Sequence, residues 1–184
     1  MRTRAKTELK VQGIKCVKGF TLIELLVVVA IILIIAGIAI PSFLRSKMAA
    51  NEAAAATNVR AITTAATVYS TTWNNGYPPT LATMGGAGLV ATCAQAILLD
   101  PVITTPPSLK SGYNFTYTGI GANTPPVAGC APGFYQYLAT ATPAVLGSTG
   151  QRSFCSDTPG VIHFDSTGAA IASVAACDAL PAMQ

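Results

Sequence analysis

Gly19-Phe20-Thr21-Leu22-Ile23-Glu24 opens the stretch that decides the fold of this chain, and an apolar run follows it to Ile40. From Phe20 to Leu44 the chain has 25 residues, and Glu24 is the only charged one among them. About 20 consecutive apolar residues are enough for an α-helix to cross the hydrocarbon core of a bilayer. The stretch therefore predicts a helix that lies in a membrane or in an equally apolar protein environment.

A candidate cleavage point, Lys18-Gly19-Phe20, lies before the apolar run. A secretory signal peptide has the opposite order, with its small-residue cleavage site after the apolar core. We therefore expect cleavage to remove a leader, residues 1–19, and to leave the apolar segment as the new N-terminus.

The positive charge of the chain is concentrated in this leader. Six of its residues are basic and only Glu8 is acidic, which gives it a net charge of +5, whereas the chain as a whole has +4. A basic segment beside an apolar span keeps that side of the span in the cytoplasm. The remainder is close to neutral, so we expect no general attraction of the mature protein to nucleic acid.

Glu24 is unusual because a carboxylate inside a membrane helix costs roughly 2.5–3.5 kcal/mol and such residues usually have a partner. The nearest candidate is the amine that cleavage before Phe20 would create. That amine is poorly placed within the same helix, but the amine of a neighbouring copy could reach Glu24. A partner for Glu24 in a neighbouring copy predicts a self-assembling subunit. The alternative is a plain membrane anchor with one acid near its end.

The segment Lys18-Gly19-Phe20-Thr21-Leu22-Ile23-Glu24-Leu25-Leu26-Val27-Val28 resembles the cleavage and methylation signal of type IV prepilins and type II secretion pseudopilins. The resemblance implies that a membrane peptidase cuts after Gly19 and N-methylates Phe20. It also implies that Glu24 is needed for assembly and methylation, and that Pro41 bends the helix. The leader departs from the family in its length of 19 residues and in carrying Cys16.

The resemblance implies a structural subunit of a type IV pilus-like filament, with no enzymatic activity and no cofactor. Its partners would be other copies of the chain, the prepilin peptidase and methylase, the inner-membrane assembly machinery, and membrane lipid before assembly. The precursor would lie in the bacterial inner membrane, and the product in a surface pilus or a periplasmic pseudopilus. A type II secretion pseudopilin or minor pilin is one alternative, and a monomeric membrane-anchored binding protein is another.

The helical pattern continues with polar character over residues 45–76, after the apolar half at 20–44. Gly37 weakens a helix by about 1 kcal/mol relative to alanine, and Pro41 removes one backbone hydrogen bond. An apolar stripe then repeats at helical spacing and predicts a face that packs on another element. Its members are Met48, Ala55, Val59, Ile62, Ala66, Tyr69 and Trp73. Glu52 and Arg60 lie at the margin of this stripe, where we expect them to face solvent or a neighbouring subunit.

Residues 77–184 predict a globular head, after the stop signal Asn74-Asn75-Gly76. Short helices are expected at Thr80–Met84 and Thr92–Leu99. Four segments alternate apolar and polar residues as half-buried strands do, and they lie at 112–118, 133–140, 152–156 and 160–164. The predicted fold is α+β, with a long N-terminal helix and an antiparallel sheet of three to four strands packed on it.

The cysteines indicate an oxidising compartment. Cleavage removes Cys16 and leaves an even number in a small exported head, which favours disulfides. The four that remain are Cys93, Cys130, Cys155 and Cys177. They allow three connectivities that the sequence does not decide, and we favour Cys93–Cys130 with Cys155–Cys177 because each closes a local loop. A zinc site is the weaker alternative, since close cysteine pairs are lacking and the chain has one histidine.

The head offers little for catalysis or metal binding. His163 is the only histidine and falls in a strand pattern, where an exposed strand residue is the simpler interpretation. Asp157, Asp165 and Asp178 are weak candidates for a calcium site, which some pseudopilins that resemble this chain carry. Because calcium loops usually gather acids more densely, we favour turn-forming roles for Asp157 and Asp165 and predict no metal.

Overall fold

The computed structural model describes residues 19–123 and 126–183, so the leader up to Lys18, with Cys16, lies outside the described residues. The fold is α+β, as predicted. A long helix, α1 (Leu22–Trp73), is followed by two short helices, α2 (Leu81–Met84) and α3 (Pro101–Thr104). The strands come next, and a last short helix, α4 (Val174–Asp178), lies near the C-terminus. The five strands are β1 (Leu109–Lys110), β2 (Tyr113–Ala122), β3 (Phe134–Pro143), β4 (Ser153–Asp157) and β5 (Ile162–Asp165).

The chain divides into two compact units, one ending at Pro41 and the other beginning at Ser42. In the first unit, the described residues from Gly19 to Pro41 are all exposed except for the partly exposed Ala36. The second unit contains the hydrophobic core, and α1 enters it with a buried stripe.

The predicted apolar stripe of α1 packs into the core of the second unit. Ala55, Val59, Ile62, Ala66 and Tyr69 are completely buried. Alanines at a helix face let the backbone approach the sheet closely, while the larger members fill the space between them. Met48 and Trp73, at the two ends of the stripe, are only partly buried. The 3.6-residue period therefore identified the packed face correctly.

Glu52 is the exception on this helix, because its expected exposure is wrong. It retains only 8% of its accessible surface. Two backbone N–H groups and a guanidinium near the start of β4 form hydrogen bonds to its carboxylate. A charge can be buried when its hydrogen-bonding capacity is met in this way. Arg60, which carried the same expectation, is exposed.

The five strands form one antiparallel sheet in the order β1-β2-β3-β4-β5. All four predicted strands are present, and the structure adds β1, whose two residues are too short to show a period. Directly opposed residues share a face, so Ala139 with Ser156 and Ala141 with Phe154 point to the core. The sheet also contributes Tyr113, Tyr117 and Tyr137, whose rings fill the layer between strands and helix.

The segment Thr92–Leu99 is not the helix that the sequence predicted. Thr92 and Gln95 instead pair across a tight turn, with N···O distances of 2.9 and 3.1 Å. The backbone N–H groups of Ala96 and Leu98 donate to the carbonyls of Thr83 and Met84 in α2. Because these donors bond to α2 rather than to carbonyls four residues earlier, the segment does not form a helix. The other predicted short helix, Thr80–Met84, is present as α2.

The C-terminal tail covers one edge of the sheet. The N–H of Phe164 donates to the carbonyl of Pro181 at 3.1 Å, and the N–H of Met183 donates to that of Ile162 at 2.7 Å. An open strand edge invites pairing with other chains. The tail removes that hazard along β5.

Candidate processing and assembly site

Gly19 and Phe20 lie just before α1, at the junction where cleavage is expected. Phe20 is 79% exposed. Gly19 has no neighbouring atom within 4 Å of the place where a Cβ would stand. Within the described part of the chain, nothing packed around this junction blocks the approach of a protease.

Thr21 and Glu24 form a capping box at the start of α1. The backbone N–H and the hydroxyl of Thr21 donate to Oε2 of Glu24 at 2.9 and 2.6 Å. The N–H of Glu24 donates back to the hydroxyl of Thr21 at 3.3 Å. This reciprocal arrangement satisfies backbone donors that a helix start leaves free. Glu24 therefore has a hydrogen-bond partner within its own chain, in contrast to the prediction that its partner lies in another copy.

The apolar half of α1 presents large side chains on all sides. Leu22 is 81% exposed and Ile38 is 76% exposed, and the large apolar residues between them are 46–69% exposed. α1 contains a stretch long and apolar enough to cross a membrane, and none of that stretch is buried in the protein. An exposed apolar surface of this size is stable only where lipid or other protein surfaces cover it.

Pro41 lies inside α1, three residues before the last apolar residue of the run, Leu44. Its ring removes the backbone N–H that would bond to the carbonyl of Gly37. Gly37 has open space where a Cβ would stand. The two residues thus remove one hydrogen bond and one side chain from the same turn of the helix.

Glu52 and Arg152 form an ion pair, 100 residues apart in sequence, in the second unit. Oε2 of Glu52 accepts from Nε of Arg152 at 2.8 Å, and Oε1 accepts from the N–H of Gln151 at 2.8 Å. The guanidinium also lies over the rings of Phe154 and Phe164, at 5.8 and 5.5 Å from their centroids. The pair fixes the chain that leads into β4 to the helix.

The carboxylate of Glu52 is held in its ionised form. Burial alone would raise its pKa, but the hydrogen bonds from Gln151 and Arg152 and the charge of Arg152 outweigh it and lower the pKa. Tyr113, whose hydroxyl donates to the carbonyl of Arg152 at 2.8 Å, lies beside this pair. Burial and the nearby Glu52 charge raise the pKa of Tyr113 to about 12.

Two disulfides join the cysteines of the head. Cys93 bonds to Cys130, and Cys155 bonds to Cys177. The first closes a separation of 37 residues beside Tyr69, whose hydroxyl donates to the carbonyl of Cys93 at 2.8 Å. The second closes 22 residues and ties α4 to the outer face of β4, where both of its cysteines are completely buried.

The three aspartates considered for calcium occupy two different settings. Asp165 starts a turn, and its carboxylate accepts from the N–H and the hydroxyl of Thr167 at 2.8 and 2.7 Å. Asp157 is only 3% exposed, and burial together with the neighbouring Asp178 raises its pKa. Over the described ranges, no group of three or more His, Cys, Asp or Glu side chains is placed to hold a metal.

Comparison with known proteins agrees with the geometry at the N-terminus. Residues 14–40 match the family model described as the prokaryotic N-terminal methylation motif. The type IV major pilin protein PilA of Myxococcus xanthus (strain DK1622) is 52% identical over 48 residues. The two matches show that part of the chain is similar to a prokaryotic methylation motif and to a type IV major pilin.

The family-model match lies in the N-terminal part of the chain. The aligned 48 residues are 26% of this chain and 22% of the Myxococcus protein, so the match spans about a fifth of that relative's length. No solved structure matches the chain significantly.

Proposed function

We propose that this chain is the structural subunit of a type IV pilus-like filament. A membrane prepilin peptidase cuts it after Gly19 and methylates the new amine of Phe20. Residues 20–44 then hold the subunit in the inner membrane until assembly machinery transfers it to the filament. Residues 45–76 and 77–184 carry the packed part of the helix and the head.

The observation that carries the proposal is the exposed apolar half of α1, most of which lies within the match to the methylation motif. Every Leu, Ile, Val and Phe side chain from Leu22 to Leu44 is at least 46% exposed. Burial of apolar surface contributes about 25 cal/mol per Å². Removing this segment from lipid is therefore favourable only if neighbouring helices cover it again, as they do in a helical filament.

Glu24 gives this assembly its register in the proposed mechanism. In one copy the carboxylate accepts from Thr21 through a single oxygen, Oε2. Its other oxygen has no hydrogen bond from any residue that the structure describes. In the filament core that oxygen accepts from the methylated amine of Phe20 in a neighbouring copy. A misregistered copy leaves a carboxylate uncompensated in a low-dielectric core, which is costly.

Cleavage is tested by intact-mass measurement after co-expression with a prepilin peptidase. The wild-type chain should begin at N-methylated Phe20, and Gly19→Leu should still begin at Met1. Gly37→Ala is the matched control, because that glycine is also exposed with open space around it and should not affect cleavage. If Gly19→Leu is cut as well as the control, the processing step is refuted.

Two substitutions separate the capping role of Glu24 from its charge. Glu24→Gln keeps an oxygen that can accept from Thr21 but removes the charge, whereas Glu24→Ala removes both. We expect both variants to be processed and both to assemble at least about tenfold less filament, since loss of a buried charge pair exceeds 1.4 kcal/mol. Normal filament yield from Glu24→Gln would mean that capping, and not charge, is what assembly requires.

Two alternatives make different predictions. A type II secretion pseudopilin or minor pilin would be cleaved but scarce in surface filaments. A monomeric membrane-anchored binding protein would keep its leader. The methylation motif favours a processed subunit over the anchored binding protein. The resemblance to a major pilin favours the pilus subunit over a pseudopilin.

A further inference from the structure

An open groove of about 500 Å³ lies beside the Glu52–Arg152 pair, within the unit that begins at Ser42. One wall is a face of α1, and the other comes from the chain before β4 and the turn after β5. The first wall consists of Arg45, Met48, Ala49 and Glu52, and the second of Gln151, Arg152 and Ser166. None of these residues belongs to the cleavage and methylation segment.

The groove presents an excess of hydrogen-bond donors and positive charge. Both oxygens of Glu52 are already occupied, by two backbone N–H groups and by Arg152. The side chain of Arg152 remains 40% exposed, whereas that of Glu52 is 10% exposed. Arg45 is exposed and has no carboxylate within 4.0 Å among the residues that the structure describes. An anion entering the groove would therefore meet two guanidinium groups, while the carboxylate of Glu52 is already paired.

The lining and the sequence position indicate what kind of anion fits. Met48 and Ala49 add apolar surface beside the arginines, which suits an amphiphile better than an inorganic ion. Arg45 follows Leu44 directly, at the end of the apolar run. The first basic side chain after a membrane span lies at the level of the lipid headgroups.

We propose that this groove binds the phosphate of an anionic membrane phospholipid, with Arg45 as its main contact and Arg152 supporting it. The proposal rests on the proposed function, because it requires the apolar run to lie in a bilayer. The guanidinium of Arg45 pairs with the phosphate oxygens, a geometry that arginine favours. The bound lipid holds the base of the head at the membrane surface and is released when the subunit leaves for the filament.

Native mass spectrometry of the full chain ejected from lipid nanodiscs tests this. With phosphatidylglycerol we expect one lipid to remain bound to the wild type, and about fivefold less to remain on Arg45→Gln. Lys47→Gln is the matched control. The substitution Lys47→Gln removes the same charge two residues after Arg45. Lys47 points to the opposite side of the helix and does not line the groove. The control should retain lipid like the wild type.

Three outcomes would overturn the proposal. Equal loss of lipid from both variants would show general membrane attraction only. No retained lipid on the wild type would leave the groove to another occupant, such as an acidic side chain of a second copy. Equal release by millimolar inorganic phosphate and by excess phosphatidylglycerol would indicate a free-anion site. Incorporation of the chain into nanodiscs is scored separately, so a chain that fails to insert refutes the proposed function instead.

Discussion

The two parts of α1 share one continuous helix but meet opposite environments. Up to Pro41 the described residues are almost all exposed although nearly all are apolar. From Glu52 to Tyr69 nine residues are buried although many neighbours are polar. The N-terminal part has an apolar surface all round, whereas the C-terminal part has one packed stripe. The first part thus depends on partners outside the monomer, and the second is stabilised by its own head.

The largest expected effect comes from one substitution made in each part. Ile62→Ala removes a completely buried side chain and should destabilise the head by about 2–5 kcal/mol. Ile32→Ala removes a side chain that is 58% exposed and should leave monomer stability unchanged. Denaturant unfolding followed by the fluorescence of Trp73, the only tryptophan, measures both. Equal effects would contradict the contrast between the two parts.

The disulfides act only in the second part, and each should contribute about 2–4 kcal/mol. Cys155 and Cys177 are completely buried, whereas Cys93 is 9% exposed and Cys130 is partly exposed. Mild reduction of the folded protein should therefore open Cys93–Cys130 first. Alkylation followed by peptide mass analysis identifies the opened pair. Preferential labelling of Cys155 would show that α4 separates from the sheet more readily than its burial indicates.

Loss of the Glu52 carboxylate should cost about 2 kcal/mol, because Glu52→Ala leaves two backbone donors without a partner. The lowered pKa of Glu52 means that its contribution is complete above its unfolded value, near 4.5, and is lost as the pH falls through its folded pKa. The variant should therefore lose less stability than the wild type between pH 5 and pH 3. Arg60→Ala, which changes an exposed charge, is the control and should behave like the wild type.

A smaller effect of opposite sign is expected at Asp157. Its raised pKa means that it favours the folded state most at low pH and that this contribution is lost as the pH rises through the folded value. Asp157→Asn should thus stabilise the head at neutral pH and have little effect near pH 3. Asp165→Asn should instead destabilise at neutral pH, since Thr167 lowers the pKa of Asp165. Unfolding in the presence of a chelator, to exclude bound cations, measures both.

Much of this contrast was predictable from periodicity. A stripe at helical spacing identified the buried face of α1, and alternation identified four strands. The short elements β1, α3 and α4 were missed because two to five residues show no period. The helix predicted at Thr92–Leu99 is absent because hydrogen bonds to α2 compete with helix formation. No local pattern in the sequence reveals those bonds.

The polar contacts of α1 also differ in how far they could be predicted, because one partner is distant in sequence and the other is local. The partner of Glu52 is 100 residues away, so no local pattern indicates that this charge can be buried. The bond between Thr21 and Glu24 spans three residues and has the Thr-x-x-Glu pattern of a capping box. This local partner of Glu24 was therefore predictable from the sequence, although only a partner in another copy was predicted.

The most direct test of the account is the mass and abundance of the chain in two fractions of cells that produce it, sheared surface material and membranes. The account predicts that the chain is abundant in the sheared material and begins there at N-methylated Phe20. A processed chain confined to the membrane would indicate a pseudopilin or minor pilin. A chain that still begins at Met1 in both fractions would contradict processing and filament assembly together.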